Sequence, residues 1–210
     1  MNKEYLRKKY LEKRLSLSTD QILAKSLKIA NKILGIDEVR NAKFISCNLP
    51  INNEVDTVPI IKRLMRMNKK ILLPSYLKNT RSYKFVQFSN WENLKKGPYG
   101  ILQPHDSKEN TMVVKPRDTS GVKSGRYQES TSEVSIMSLD VAILPGVAFD
   151  KKSVRLGYGK GVFDRILRNS KAIKIGLAYD FQIVDDLPRE EHDLIMDLIV
   201  TESRIIVHSS

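Results

Sequence analysis

Residues 139–146 read LDVAILPG, an apolar run that ends in a Pro-Gly turn and is too short to be a buried helix. The chain then passes through RLGYGKGVFDR (155–165), where Gly157, Gly159 and Gly161 alternate with other residues between two arginines. VFDRILRN (162–169) continues as a helix. A buried strand, a bare glycine turn and a helix in that order build an open α/β sheet, and such sheets bind ligands at the carboxyl ends of their strands.

The other elements agree with that architecture. In residues 3–17, Leu6, Tyr10, Lys13 and Leu17 fall on one helical stripe and Lys3, Arg7 and Arg14 on an adjacent cationic one. Ser18 and Gln21 form a capping-box pattern that predicts a second helix to about Leu34, stopped by Gly35. KFISCN (43–48) predicts a strand, Asp56 a cap for a helix over 57–67, and KKILLP (69–74) the next strand. SYKFVQF (82–88), AIKIGLAY (172–179), DLIVTE (197–202) and RIIVH (204–208) predict further strands. The expected fold is a single α/β domain, a Rossmann-like, mostly parallel sheet with helices on both faces. Residues 106–135 are polar and nearly free of core pattern, and are expected to be an inserted loop.

Glycine is used where the backbone takes unusual φ/ψ or another group must approach it closely, so the 157–161 run is a candidate phosphate cradle as well as a candidate ligand-free turn. Neither common phosphate motif fits. No Gly-Lys-Ser/Thr occurs, and the third glycine of a dinucleotide fingerprint falls on Val162. Arg155 and Lys160 bring positive charge to the loop. Asp164 repels a phosphate unless a cation lies between them, the arrangement by which carboxylates and phosphates share magnesium. As an acid at a helix start it also interacts with the helix dipole.

With 36 basic and 24 acidic residues the net charge is +12, which attracts anions. The basic residues are spread along the chain with few aromatics among them, so a small anionic substrate is expected rather than nucleic acid. Cys47 is the lone cysteine, no apolar stretch is long enough to span a bilayer, and the N-terminus lacks a secretory core. A cytoplasmic protein without membrane association is expected; the sequence does not give the oligomeric state, and a monomer is favoured.

LPGVAFDKKSVRLGYGKGVFDRIL resembles the signature of the 5-formyltetrahydrofolate cyclo-ligase family, and 49-LPINNEVDT-57, 71-ILLP-74, 97-GPYGILQP-104 and 191-EHDLIMD-197 follow in the family's order. Val162 departs from the family, which usually has an aromatic there as well as at the position of Phe163. The resemblance implies ATP- and magnesium-dependent closure of 5-formyltetrahydrofolate to 5,10-methenyltetrahydrofolate through a phosphorylated formyl group. It places Lys3, Arg7, Arg155, Gly157, Tyr158, Gly159, Lys160 and Gly161 on ATP, with Arg155 and Lys160 catalytic. Leu49 and Glu54 go to the pterin, and Asp164 and Asp193 to magnesium. Tyr83, Phe85 and Trp91 could flank the folate rings but, as strand aromatics, read first as core, and His105, His192 and His208 lack metal-ligand spacing. Two rival functions share the same features: a sugar-phosphate isomerase on a related sheet, and a basic nucleic-acid-binding module.

Overall fold

Every fourth residue of the first helix, Leu6, Tyr10 and Arg14, is buried, so a single stripe of the helix faces the protein. That helix, α1 (Lys3–Leu15), begins a computed structural model that describes residues 2–77, 82–104, 113–114, 138–191 and 193–208. It is followed by α2 (Thr19–Ile33), α3 (Asp37–Asn41), α4 (Val58–Arg66) and α5 (Val162–Ile166). The strands are β1 (Phe44–Ser46), β2 (Lys70–Leu77), β3 (Ser82–Phe88), β4 (Leu94–Lys96), β5 (Leu102–Pro104), β6 (Val113–Val114) and β7 (Val141–Pro145). They continue as β8 (Ala148–Asp150), β9 (Arg155–Leu156), β10 (Ile173–Leu177), β11 (Ile183–Val184), β12 (Leu198–Val200) and β13 (Ile205–Val207).

Among the described residues the main sheet has the order β13-β12-β10-β7-β1-β2-β3-β6. The run from β12 to β2 is parallel, while β13, β3 and β6 pair antiparallel. From β1 the chain moves to β2 on one side; from β7 it moves to β10 and β12 on the other. The β1/β7 boundary is therefore the topological switch point, where the ends of adjacent strands part and leave a crevice.

Alternation along the strands fills two cores. Ile71, Leu73, Ile143, Ile175 and Leu177 pack on the face covered by α2, α3 and α4, with Ile29, Ile33, Val39, Ile60 and Leu64. Leu72, Ala142, Leu144 and Ile199 pack on the opposite face with Phe149, Ile166 and Leu167. Phe149 lies so close to the sheet that a Cβ on Gly146 or Gly176 would come within 2.4 or 2.5 Å of its ring. A smaller sheet, β11-β8-β9, sits beside the main one, and Leu6 and Tyr10 of α1 pack on its Val147, Ala148 and Leu156.

Several sequence expectations hold. The Ser18–Gln21 capping box is present, and α2 ends at Ile33. Others are corrected. The buried stripe of α1 takes in Arg14, while Lys13 is exposed, because the helix packs through positions four apart. The N-cap of α4 is Thr57, not Asp56, although the Asp56 carboxylate still accepts the Val58 N–H at 3.0 Å. The helix expected over 162–169 ends at Ile166: the Ser170 N–H turns back to the Leu167 carbonyl at 3.0 Å, and the chain enters β10. Of the expected insert, Val113–Val114 forms an edge strand on β3; the rest of 106–135 lies outside the described residues, as do His105 and His192.

Candidate functional site

A cleft of 1280 Å³ opens over the carboxyl ends of β1 and β7, walled by α1, the glycine loop and the β5 region. Every residue that the sequence placed in the site lines it: Lys3, Arg7, Leu49, Glu54, Arg155, the whole run Gly157–Gly161, Asp164 and Asp193.

The glycine-loop end is built around Arg155, which is nearly fully buried. Its Nη1 donates to the Pro145 carbonyl at 3.1 Å, and its Nη2 reaches both Asp164 oxygens at 3.2 and 3.1 Å. The Arg155 Nε is buried without a hydrogen-bond partner. The three glycines have different causes. A Cβ on Gly157 would lie 2.9 Å from Arg155 Nη1, so this glycine makes room for the guanidinium. Gly159 and Gly161 instead take φ of +88° and +58°, a left-handed backbone that costs other residues about 1–2 kcal/mol. Arg7 donates from Nε to the Gly157 carbonyl at 2.9 Å, and Lys160 stands exposed at the rim. α5 has five residues, so its dipole adds little; the loop charges dominate. Val162 and Phe163 line the cleft, and the Phe163 ring centre lies 5.6 Å from the Arg155 guanidinium carbon.

Lys3 closes this end. Its ammonium lies 2.7 Å from Asp193 and 2.8 Å from Glu190. Burial favours the neutral amine, but the two carboxylates outweigh it and raise the pKa above the usual lysine value. Asp164 and Asp193 are neighbours through Leu194, whose N–H donates to Asp164 Oδ1 at 3.3 Å. Among the described residues there is no cluster of three or more His, Cys, Asp or Glu that could hold a metal. Two carboxylates suit a magnesium ion that keeps its waters and takes phosphate oxygens, and would not hold a metal unaided. Asp164 also has a role that its spacing did not show, as the ion-pair partner of Arg155, both its oxygens meeting the one Nη2.

The opposite end is buried. The Glu54 side chain is 4% exposed, and its Oε2 accepts from the Ile51 N–H at 3.1 Å and Asn48 Nδ2 at 3.3 Å. Its Oε1 has no hydrogen-bond partner and lies 4.0 Å from Arg14 Nη1. Burial pushes the Glu54 pKa up to about 7, against the opposing pull of the Arg14 charge. Burial, together with the Glu54 charge, also raises the Tyr158 phenol. That phenol sits between the two ends: its main chain belongs to the glycine loop, while its hydroxyl accepts from Arg14 Nη2 and faces Asn52.

Sequence reasoning missed Arg14 and Asn48 at this end and Arg165 and Arg168 at the other, all of them near the cleft. The arginines of the α5 region follow Asp164 within four residues, and that spacing was a usable signal. Asn48 carried none. Of the aromatics set aside as core, Phe85 is fully buried and Trp91 packs edge-on against Phe88, but Tyr83 lines the cleft.

Comparison with known proteins gives a consistent result. The pattern of the 5-formyltetrahydrofolate cyclo-ligase family matches residues 1–119 and 116–202. A mouse 5-formyltetrahydrofolate cyclo-ligase is 28% identical over 95% of this chain and 93% of its own. The solution structure of an Aquifex aeolicus 5,10-methenyltetrahydrofolate synthetase superposes with a TM-score of 0.75 at 30% identity, covering 100% of this chain and 94% of that one. The 5,10-methenyltetrahydrofolate synthetase of Mycoplasma pneumoniae superposes with a TM-score of 0.69 at 26% identity, covering 96% and 99%.

Proposed function

The chain belongs to the 5-formyltetrahydrofolate cyclo-ligase family, and from that premise we propose that it closes 5-formyltetrahydrofolate to 5,10-methenyltetrahydrofolate, consuming ATP and releasing ADP and phosphate. The observation that carries the reading is a single cleft with opposite chemistry at its two ends: a cationic glycine loop at one and a buried, partly unpaired carboxylate at the other. ATP phosphates go to the first and the pterin to the second. The isomerase and nucleic-acid alternatives account for the loop and the charge but give no use to the buried Glu54 oxygen that lacks a hydrogen bond.

In this scheme Glu54 and Leu49 hold the pterin, the carboxylate accepting from its N–H edge. Arg155, Lys160, Lys3, Arg7 and the loop N–H groups hold the triphosphate so that the γ-phosphorus faces the formyl oxygen. That oxygen takes the phosphoryl group and the bond to ADP breaks. N10 then attacks the activated carbon, the carbon–oxygen bond breaks with release of phosphate, and the N10 proton is lost. Positioning and charge stabilisation are the protein's main contributions to such a transfer. Asp164 and Asp193 would hold magnesium, which when bound neutralises phosphate charge. No described helix is long and apolar enough to cross a membrane; a cytoplasmic monomer is part of the proposal.

The test is the absorbance of methenyltetrahydrofolate formed from 5-formyltetrahydrofolate. Formation only with ATP and magnesium together supports the reading. Formation without ATP, or ATP hydrolysis indifferent to the folate, would end it.

A further inference from the structure

Lys3, Arg7 and Arg14 lie on one side of α1 in sequence, yet the helix separates them. Eleven residues at 1.5 Å each put Arg14 about 16 Å along the axis from Lys3. Lys3 and Arg7 therefore belong to the glycine-loop end, and Arg14 to the Glu54 end. We propose that Arg14 is a positioning residue for the folate: it holds the loop that carries Glu54 and the Tyr158 hydroxyl as one wall of the pterin end, sets its charge 4.0 Å from the Glu54 carboxylate, and adds nothing to phosphate binding. The proposal rests on reading Glu54 as the pterin ligand.

Four observations support it. Arg14 is 1% exposed, and burying a guanidinium is costly unless its surroundings satisfy its N–H groups and charge. Its three nitrogens reach three different segments: Nε the Asn52 carbonyl at 2.8 Å, Nη1 the Gly146 carbonyl at 3.1 Å, and Nη2 the Tyr158 hydroxyl. Those segments are the loop after β1, the turn after β7 and the glycine loop, which meet at the switch point. The same loop after β1 is fastened to the end of α1 by Asn53, whose Nδ2 reaches the carbonyls of Arg14, Leu15 and Leu17 at 3.2–3.3 Å. Asn52 and Asn53 both hold positive φ, at 48° and 56°, so the loop that carries Glu54 is held in a strained shape by these contacts.

The ionisable groups facing Glu54 are Arg14 from α1, Tyr158 from the glycine loop and Arg155 from β9. Arg14 is the strongest of these in holding the carboxylate ionised against its burial. Its removal should raise the pKa of Glu54 further, so that more of the carboxyl is protonated at neutral pH and fewer pterin N–H groups find an acceptor.

The experiment uses the full chain as wild type, Arg14→Met, Arg14→Lys and Tyr158→Phe. Calorimetric titration with 5-formyltetrahydrofolate is run at pH 7 and pH 9, and with ATP and magnesium in parallel. Arg14→Met should weaken folate binding about tenfold at pH 7 and recover most of the loss at pH 9, where Glu54 ionises without help. ATP affinity should stay within about twofold, since no phosphate contact is removed. Arg14→Lys keeps the charge and loses the three-way fork, so it should restore the wild-type pH profile with a uniform loss of about threefold. A loss shared equally by both ligands, or a folate loss the same at both pH values, would make Arg14 a purely structural pin and overturn the proposal. If Arg14→Met does not fold, Arg14→Lys and Tyr158→Phe decide: unchanged folate affinity in both also overturns it. A wild-type chain that binds no 5-formyltetrahydrofolate would strike at the proposed function instead.

Discussion

At the glycine-loop end, Gly159 and Gly161 hold positive φ, Lys160 is exposed, and the charged groups reach toward the cleft from several segments. At the other end, Glu54 and Arg14 are shut away from water, and the carboxylate has one oxygen without a hydrogen-bond partner. The first end is built for a ligand that brings its own charge in bulk: backbone room and fixed cations suffice. The second suits a neutral, flat ligand with N–H donors, where desolvation makes each mismatched hydrogen bond expensive. The two ends should therefore respond separately to mutation, pH and salt.

The largest break in that comparison should come from Arg155→Met. It removes a cation that holds Asp164 and that the proposed function sets against the phosphates, and turnover should fall about 10²–10³-fold while folate affinity changes far less. Steady-state kinetics beside folate titration checks both. Gly159→Ala should act at the same end more gently. It forces a Cβ onto φ of +88° and to within 3.2 Å of the Arg7 guanidinium. If the alanine loop relaxes from this shape in the free protein, ATP binding must restore it at about 1–2 kcal/mol, so ATP affinity should drop roughly tenfold with folate affinity preserved.

Changing pH should act mainly on the other end. The Glu54 pKa is raised to about 7 in the free protein, so the acceptor form is lost as pH falls through that value. Folate affinity should decline about fourfold between pH 8 and 6.5, and ATP affinity should show no matching step at that pH. A flat folate profile would mean that the carboxylate is not the acceptor. The smallest effect concerns the +12 charge. Longer glutamate tails should bind a few-fold tighter at low salt, with the gain fading as salt screens it. Equal affinities for mono- and polyglutamyl folate at low salt would remove that role from the charge.

The glycine-loop end was legible in the sequence because its chemistry is local. Three glycines, Arg155 and Lys160 fall within seven residues, and their spacing alone excluded the common phosphate motifs. The parallel core was legible for a similar reason, since short apolar runs alternate with helices. The Glu54 end was visible only through family resemblance, because what defines it is burial. Glu54 reads as any acidic residue until β1, β7 and α1 close around it, and Arg14 reads as one more lysine-like surface charge until its helix is docked. Lys13 and Arg14 are adjacent cations, and packing at four-residue spacing chose the second. Even in the signature, Asp150 proved structural: it accepts the N–H groups of Lys152, Val154 and Leu187 at 2.9–3.0 Å and ties the turn after β8 to the segment after β11.

The central claim, one cleft with two separable ends, is tested most directly by titrating each ligand separately into Glu54→Gln and Asp164→Asn. Glu54→Gln replaces an acceptor oxygen with a donor, so a pterin N–H meets another N–H. Folate affinity should fall tenfold or more, for a mismatch of about 1–3 kcal/mol, with ATP binding near normal. Asp164→Asn keeps shape but removes the charge that Arg155 pairs with and that a hard cation needs. Magnesium-dependent ATP binding should weaken while folate still binds. Loss of ATP with retention of folate in Glu54→Gln, or the reverse pattern in Asp164→Asn, would contradict the placement of the two ligands.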